Sequence, residues 1–320
     1  MQHVRLVDCF NASFAARRAA LAAIFALAAT GLATPVALAH GEYDLKAQRE
    51  LLMTWWPGQY DNHEQVVRQS GGGLSPIVDA PFYRVHSRYE RVSGSSLGEH
   101  VVSMVDYRDD DPTKVLRQRS YAIGIDKAAG ALRLTQYAPT GKSPTELSAL
   151  GTSCDLLLRF VGGQFEGAVD PKTCKAGGRP VEYGLVVGPR YVWFREAAGH
   201  DWFEQTRARA FTCMVQQNAE GDMRKTQFLK TIHLHDQGGE AEIAWPDGRT
   251  LVFTIHTRAF TSPPDREYPL FRIHEKGKEV PIAYAYAVDD AGRFGLNLGW
   301  FYIRCYAEGE ALGEDAVYAK

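Results

Sequence analysis

The run Val115-Leu116-Arg117-Gln118-Arg119-Ser120-Tyr121-Ala122-Ile123-Gly124-Ile125 carries the strongest structural signal in this 320-residue chain. A β-strand alternates its side chains between two faces, so Arg117, Arg119 and Tyr121 share one face with Val115, Ile123 and Ile125. An ordinary solvated strand sets its charges opposite its hydrophobes, whereas here two guanidiniums sit among them. Two settings tolerate this. In one, the arginines point into a cavity where an anionic ligand or buried carboxylates neutralise them. In the other, they stand at a sheet edge or barrel mouth and their long stems reach water.

From Pro81 onward, short runs dense in Val, Tyr, Phe and Thr are broken at Gly94, Asp109 to Pro112, Ala129-Gly130, Gly162-Gly163, Gly177-Gly178 and Gly188-Pro189. Strands at this spacing predict an all-β fold, an antiparallel barrel or sandwich. Ahead of them, Leu45, Leu52, Trp55 and Trp56 fall near helical spacing. Asp44 is a candidate N-cap for that helix, and Pro57-Gly58 stops it. Asn62 with Gln65 marks a second, shorter helix start. The polar segment from Gln216 to Lys225 is a candidate junction. Beyond it, Pro246-Asp247-Gly248 and Asp289-Asp290-Ala291-Gly292 supply turns for a second, smaller all-β unit. The expected division is residues 1–39, 40–220 and 221–320.

Residues 1–39 read as a secretory signal peptide. Arg17 and Arg18 precede an apolar run from Ala19 to Ala33, and Ala37-Leu38-Ala39 offers a cleavage point before His40. They carry three of the 36 basic and one of the 38 acidic residues, which leaves 33 against 37 in the mature chain. That balance does not favour nucleic acid. Removal of the leader takes away the only candidate membrane span. Export to the periplasm or beyond makes disulfides of paired cysteines. Cys9 leaves with the leader; Cys154, Cys174, Cys213 and Cys305 remain. Cys154 and Cys174 flank two strand-like runs joined at Gly162-Gly163, so a hairpin brings both sulfurs together. A bond across that loop contributes about 3 kcal/mol in the chain-entropy model. If Cys213 bonds Cys305, the two β units are stapled to each other.

Leu51 to Gln65 reads Leu-Leu-Met-Thr-Trp-Trp-Pro-Gly-Gln-Tyr-Asp-Asn-His-Glu-Gln. It is followed by Arg117-Gln118-Arg119-Ser120-Tyr121, then by Cys154-Asp155 through Cys174 with Gly162, Phe165 and Gly167 between the cysteines. In this succession the chain resembles the CpcT/CpeT family of phycobilin chromophore lyases over about residues 45–215. The resemblance implies a calyx-like antiparallel β-barrel that holds a bilin, an open-chain tetrapyrrole, and assists its thioether attachment to a cysteine of an acceptor protein. Such a protein works by orienting its substrate and requires no cofactor of its own. Arg117 and Arg119 then suit the propionates, and Tyr121, Tyr60 and Trp193 supply stacking surface. Glu99, read on a strand face with Leu97, Val101 and Val105, meets pyrrole nitrogens or answers an arginine.

Each of these has a plainer reading: Tyr121 and Trp193 as core packing, Glu99 as a partner for a neighbouring arginine, Asp61 and Asn62 as turn and capping residues. The sequence departs from the family where Glu99-His100 replaces Glu-Gln and Trp202-Phe203 replaces Trp-Gly. A second function therefore stands beside the lyase: a secreted, non-catalytic calyx protein that carries a hydrophobic anion. A third is a structural envelope protein whose barrel is simply filled. The expected partners are the bilin or another hydrophobic anion, an acceptor protein with a reactive cysteine, and a second copy in a homodimer. No nucleotide-binding, serine-hydrolase or metalloprotease motif occurs. His233 and His235 share a strand face and have His256 and His274 downstream. Lacking a carboxylate or cysteine at matching spacing, they read as exposed histidines, and no metal is expected. Arg207 and Arg209 read as a solvated strand face.

Overall fold

A computed structural model describes residues 44–71, 82–140, 147–169, 174, 184–196, 201–218, 223–260, 266–278, 280–287 and 292–308. The expected signal peptide and its cleavage point lie outside these residues, as does Gly177-Gly178. The chain is mostly β. Two short helices, α1 (Leu45–Trp55) and α2 (His63–Gln69), flank β1 (Gly58–Asp61). There follow β2 (Val85–Arg91), β3 (Val101–Arg108), β4 (Val115–Asp126), β5 (Ala131–Pro139), β6 (Leu147–Ala149) and β7 (Leu156–Val161). Then come β8 (Gln164–Ala168), β9 (Gly184–Val187), β10 (Tyr191–Arg195) and β11 (Phe203–Arg207). These strands form one antiparallel sheet in the order β4-β3-β2-β1-β11-β10-β9-β8-β7-β5-β6, and β4 also pairs with β5, closing a ten-stranded barrel with β6 attached outside the ring.

Local chemistry accounts for the expected elements. Asp44 accepts a hydrogen bond from the Lys46 N–H and caps α1. The second cap differs in detail. Asp61, rather than Asn62, accepts from the His63 N–H at the start of α2, because Asn62 spends its side chain on Val85 N and Tyr83 O. Gly162 and Gly163, both at positive φ, turn the β7–β8 hairpin. Its outer ends carry the Cys154–Cys174 disulfide, with Cα atoms 4.7 Å apart.

Along β4, Arg117, Arg119, Tyr121 and Ile123 all face the barrel interior and are buried. The α1 residues Leu52, Met53 and Trp56 pack into the same core, with Trp56 4.9 Å from the Tyr121 ring. The helix therefore closes the barrel end where β2 finishes and β3 begins, and Arg91 donates to Met53 O there. Arg117, four residues before Tyr121 on β4, lies about 13 Å toward the opposite end.

The remaining strands are β12 (Ala210–Asn218), β13 (Thr226–His235), β14 (Gln237–Ala244), β15 (Thr250–Phe260), β16 (Arg266–Glu275), β17 (Ala283–Tyr286), β18 (Arg293–Asn297) and β19 (Phe301–Ala307). They form two four-stranded sheets, β13-β12-β19-β18 and β14-β15-β16-β17, that close over a shared apolar core. This β-sandwich differs from the expected division in two respects. It begins at Ala210, because β12 pairs with β13 and β19, so the polar segment from Gln216 lies inside it and the junction falls at Ala208-Arg209. Cys213 and Cys305 are cross-strand neighbours on β12 and β19 and are bonded. That disulfide therefore ties one sheet of the sandwich internally and does not join it to the barrel. The two disulfides place the described chain in an oxidising, extracytoplasmic environment. No helix among the described residues is long and apolar enough to cross a membrane.

Candidate functional site

Burial of two arginines inside an apolar barrel demands neutralising partners. Arg117 has them: Nε donates to Asp106 Oδ2 at 2.8 Å and Nη2 lies 2.6 Å from the same oxygen. Register supplies this pair, since Asp106 faces Arg117 directly across β3 and β4. The network continues inward. Ser87 donates to Asp106 Oδ1 at 2.5 Å, and Gln205 Nε2 donates to Ser87 Oγ at 2.7 Å and to Val85 O at 3.0 Å. The Arg117 guanidinium also lies over the Phe194 ring, 4.6 Å from its centroid. Glu196, 37 % exposed, brings Oε1 to 3.9 Å from Arg117 Nη1. Burial, together with Glu196, pushes the neighbouring Tyr83 phenol above its usual pKa. Arg119, also buried, donates from Nη1 to Gln118 O at 2.8 Å.

One end of the barrel interior is thus polar, a preorganised arrangement of fixed cation, carboxylate and aromatic face. Such an arrangement has the chemistry to pair with an anion that carries an apolar body.

The expected site residues separate in space. Arg117 and Arg119 stand at the polar end. Tyr121 and Tyr60 line the interior nearer α1, as packing: Tyr60 lies edge-on to Tyr89 and donates to Trp55 O at 2.7 Å. Burial, only partly opposed by Arg207, lifts the Tyr60 pKa to about 12. Trp193 points outward from β10 against Tyr191, and its neighbour Phe194 takes the interior position beside Arg117. Glu99 is not on a strand at all. It occupies the turn before β3, 86 % exposed, and lines a shallow groove on the barrel's outer surface with His100 and Arg133. The inward face of β3 is Val102, Met104 and Asp106. Arg207 and Arg209 are half-buried and paired rather than fully solvated. Arg207 donates to Trp55 O and Pro57 O at the C-terminal end of α1, and Arg209 pairs with Asp236.

Asp106, Phe194, Ser87, Gln205 and Glu196 escaped the sequence reading. A buried acid in register with Arg117 is the signal that finds them.

No family model matches the chain, and no curated protein matches it. Among solved structures, the chain is similar to the CRL protein of Arabidopsis in its selenomethionine form, at 11 % identity and a TM-score of 0.28. That likeness spans 75 % of this chain and 97 % of the other.

Proposed function

We propose that the protein is an exported, periplasmic or secreted carrier that binds a hydrophobic anion of the linear-tetrapyrrole class at the polar end of its barrel. The observation that carries this reading is the buried Arg117 beside the Phe194 face, with Arg119 one turn of the pleat away. Arg117 and Arg119 take the ligand's acid groups. The bound carboxylate displaces Glu196, whose own carboxylate already approaches the Arg117 fork from solvent. Phe194 supports the apolar body. Asp106 keeps Arg117 aimed when no ligand is present.

The second reading is the chromophore lyase, favoured by the resemblance of Leu51 to Gln65 and of the Arg-Gln-Arg strand to the CpcT/CpeT pattern. It requires an acceptor thiolate, and an oxidising compartment disfavours free thiols. The compartment therefore favours carriage over attachment. Titration of the mature protein with biliverdin, followed in the visible spectrum, tests both. A saturable shift at micromolar concentration is expected, and Glu196→Gln tightens it about fivefold by removing roughly 1 kcal/mol of competition. No shift, or an affinity indifferent to both Glu196→Gln and Arg119→Ala, overturns the assignment. Chromophore that stays on an added cysteine-bearing acceptor after denaturation selects the lyase.

A further inference from the structure

The sandwich meets the outer surface of the barrel along β1 and β2, and the seam contains a buried His/Asp cluster that the polar end of the barrel does not use. Asp61 ends β1, His86 lies across from it on β2, Asp110 stands in the β3–β4 turn, and His235 ends β13 of the sandwich. Asp61 Oδ2 is 3.1 Å from His86 Nδ1, Asp110 Oδ1 is 3.5 Å from the same nitrogen, and Asp110 Oδ2 is 2.8 Å from His235 Nε2. One ligand atom each from Asp61, His86 and His235 lies within 4.8 Å of the others, and all three residues are buried. Four donors around a tetrahedral ion at about 2.0–2.2 Å stand roughly 3.3–3.6 Å from one another. The observed separations bracket that spacing.

We propose that Asp61, His86, His235 and Asp110 form a binding site for a zinc-type divalent cation that clasps the sandwich to the barrel.

Three features beyond proximity support a built site. Gln59 Oε1 lies 3.2 Å from His86 Nε2, so the ring's far nitrogen has a fixed acceptor for the proton that Nδ1, now bonded to Asp61 Oδ2 at 3.1 Å, gives up when it takes an ion. Asp109 and Asp110 both hold left-handed backbone conformations, with φ of 56° and 58°, and this consecutive strain aims the Asp110 carboxylate into the seam. Finally, β14 approaches through Gly238-Gly239: a Cβ at Gly239 would collide with the His235 backbone, so a glycine is what lets His235 reach the barrel.

Arg84 holds both oxygens of Asp61, lies 3.9 Å from Asp110 Oδ2, and donates to Gln237 O at 2.8 Å across the seam. With neutral imidazoles, the two carboxylates and Arg84 sum to one negative charge, which a dication reverses to one positive. Binding replaces the protons now shared between His86 and Asp61 and between His235 and Asp110. It also gives up one long contact, the Gln237 N–H to His235 Nδ1 at 3.3 Å, because Nδ1 must then carry the proton. Arg84 and this lost contact both oppose binding and weaken the site.

The test uses the full mature protein, stripped with EDTA and titrated with Zn2+ against a chromophoric chelator, and with Co2+ for its visible spectrum. The expected result is one equivalent bound, a rise in Tm on zinc addition, and a Co2+ spectrum of tetrahedral intensity. His235→Gln and Asp110→Asn each weaken binding at least tenfold, while His233→Ala, on an exposed position of the same strand, leaves it unchanged. If His235→Gln does not fold, Asp110→Asn, at a partly buried position of the turn, decides alone. Absence of binding at 100 micromolar Zn2+, or a stoichiometric site that survives Asp110→Asn intact, overturns the proposal.

Discussion

The barrel and the sandwich are both antiparallel β structures, yet they fill their interiors differently. The sandwich core is built from Phe211, Val215, Phe253, Phe271, Phe301 and Ile303, crossed by the Cys213–Cys305 bond. The barrel encloses Trp56, Tyr60, Tyr121 and Phe165 toward its α1 end but commits its other end to Arg117, Asp106, Ser87 and Gln205. A buried ion pair adds little stability over apolar groups of equal volume. Packing alone therefore explains the apolar core of the sandwich but not the polar end of the barrel, for which the proposed recognition role gives a reason.

Removal of covalent support is expected to have the largest effect, and to hit the sandwich hardest. Cys213→Ala with Cys305→Ala opens a loop of sequence separation 92, which costs about 4–5 kcal/mol in the chain-entropy model. Cys154→Ala with Cys174→Ala opens one of 20, which costs about 3 kcal/mol. Urea unfolding followed by tryptophan fluorescence measures both, and a larger loss from the barrel pair would invert the contrast. Arg117→Ala is expected to cost as much as losing a disulfide, roughly 3–5 kcal/mol, because it strands the buried Asp106 carboxylate; a loss under about 1 kcal/mol would mean that Asp106 finds other partners.

The next effect depends on pH. The Tyr60 phenol titrates near 10 when unfolded and at about 12 in the fold. Between those values the unfolded state binds fewer protons, so this contribution is complete below pH 10 and is lost as pH rises through 12. Stability curves of wild type and Tyr60→Phe should therefore converge over that window. Trp193→Ala is expected to do least: half-exposed on the barrel's outer surface, it should change stability by about 0.5 kcal/mol or less and leave biliverdin binding alone.

Much of this was legible in the sequence. Breaker residues marked the strands, Gly162-Gly163 marked the hairpin that brings Cys154 to Cys174, and the two-residue period put Arg117 and Arg119 on one face with Tyr121 and Ile123, leaving open whether that face lined an interior or met water at an edge. The failures share one cause. On β3, Val101, Val102, Met104 and Val105 make both faces apolar, so the pattern could not choose between them; the Asp106–Arg117 register does. On β10, Trp193 and Phe194 are equally good interior candidates by composition, and only closure of the barrel selects Phe194. Arg207 and Arg209 alternate like surface residues but find carbonyls and a carboxylate brought from distant segments. The seam cluster draws Asp61, His86, Asp110 and His235 from four separate elements, and no local spacing announces it.

The sharpest measurement uses a variant that keeps the barrel and removes its charge. Asp106→Leu with Arg117→Met replaces the ion pair by apolar groups of similar volume, an exchange that is often neutral or stabilising. Thermal unfolding and biliverdin titration of this double variant should give a Tm at or above wild type and an affinity at least tenfold weaker. A variant that is equally stable and binds within twofold of wild type would contradict a recognition role for the polar end of the barrel.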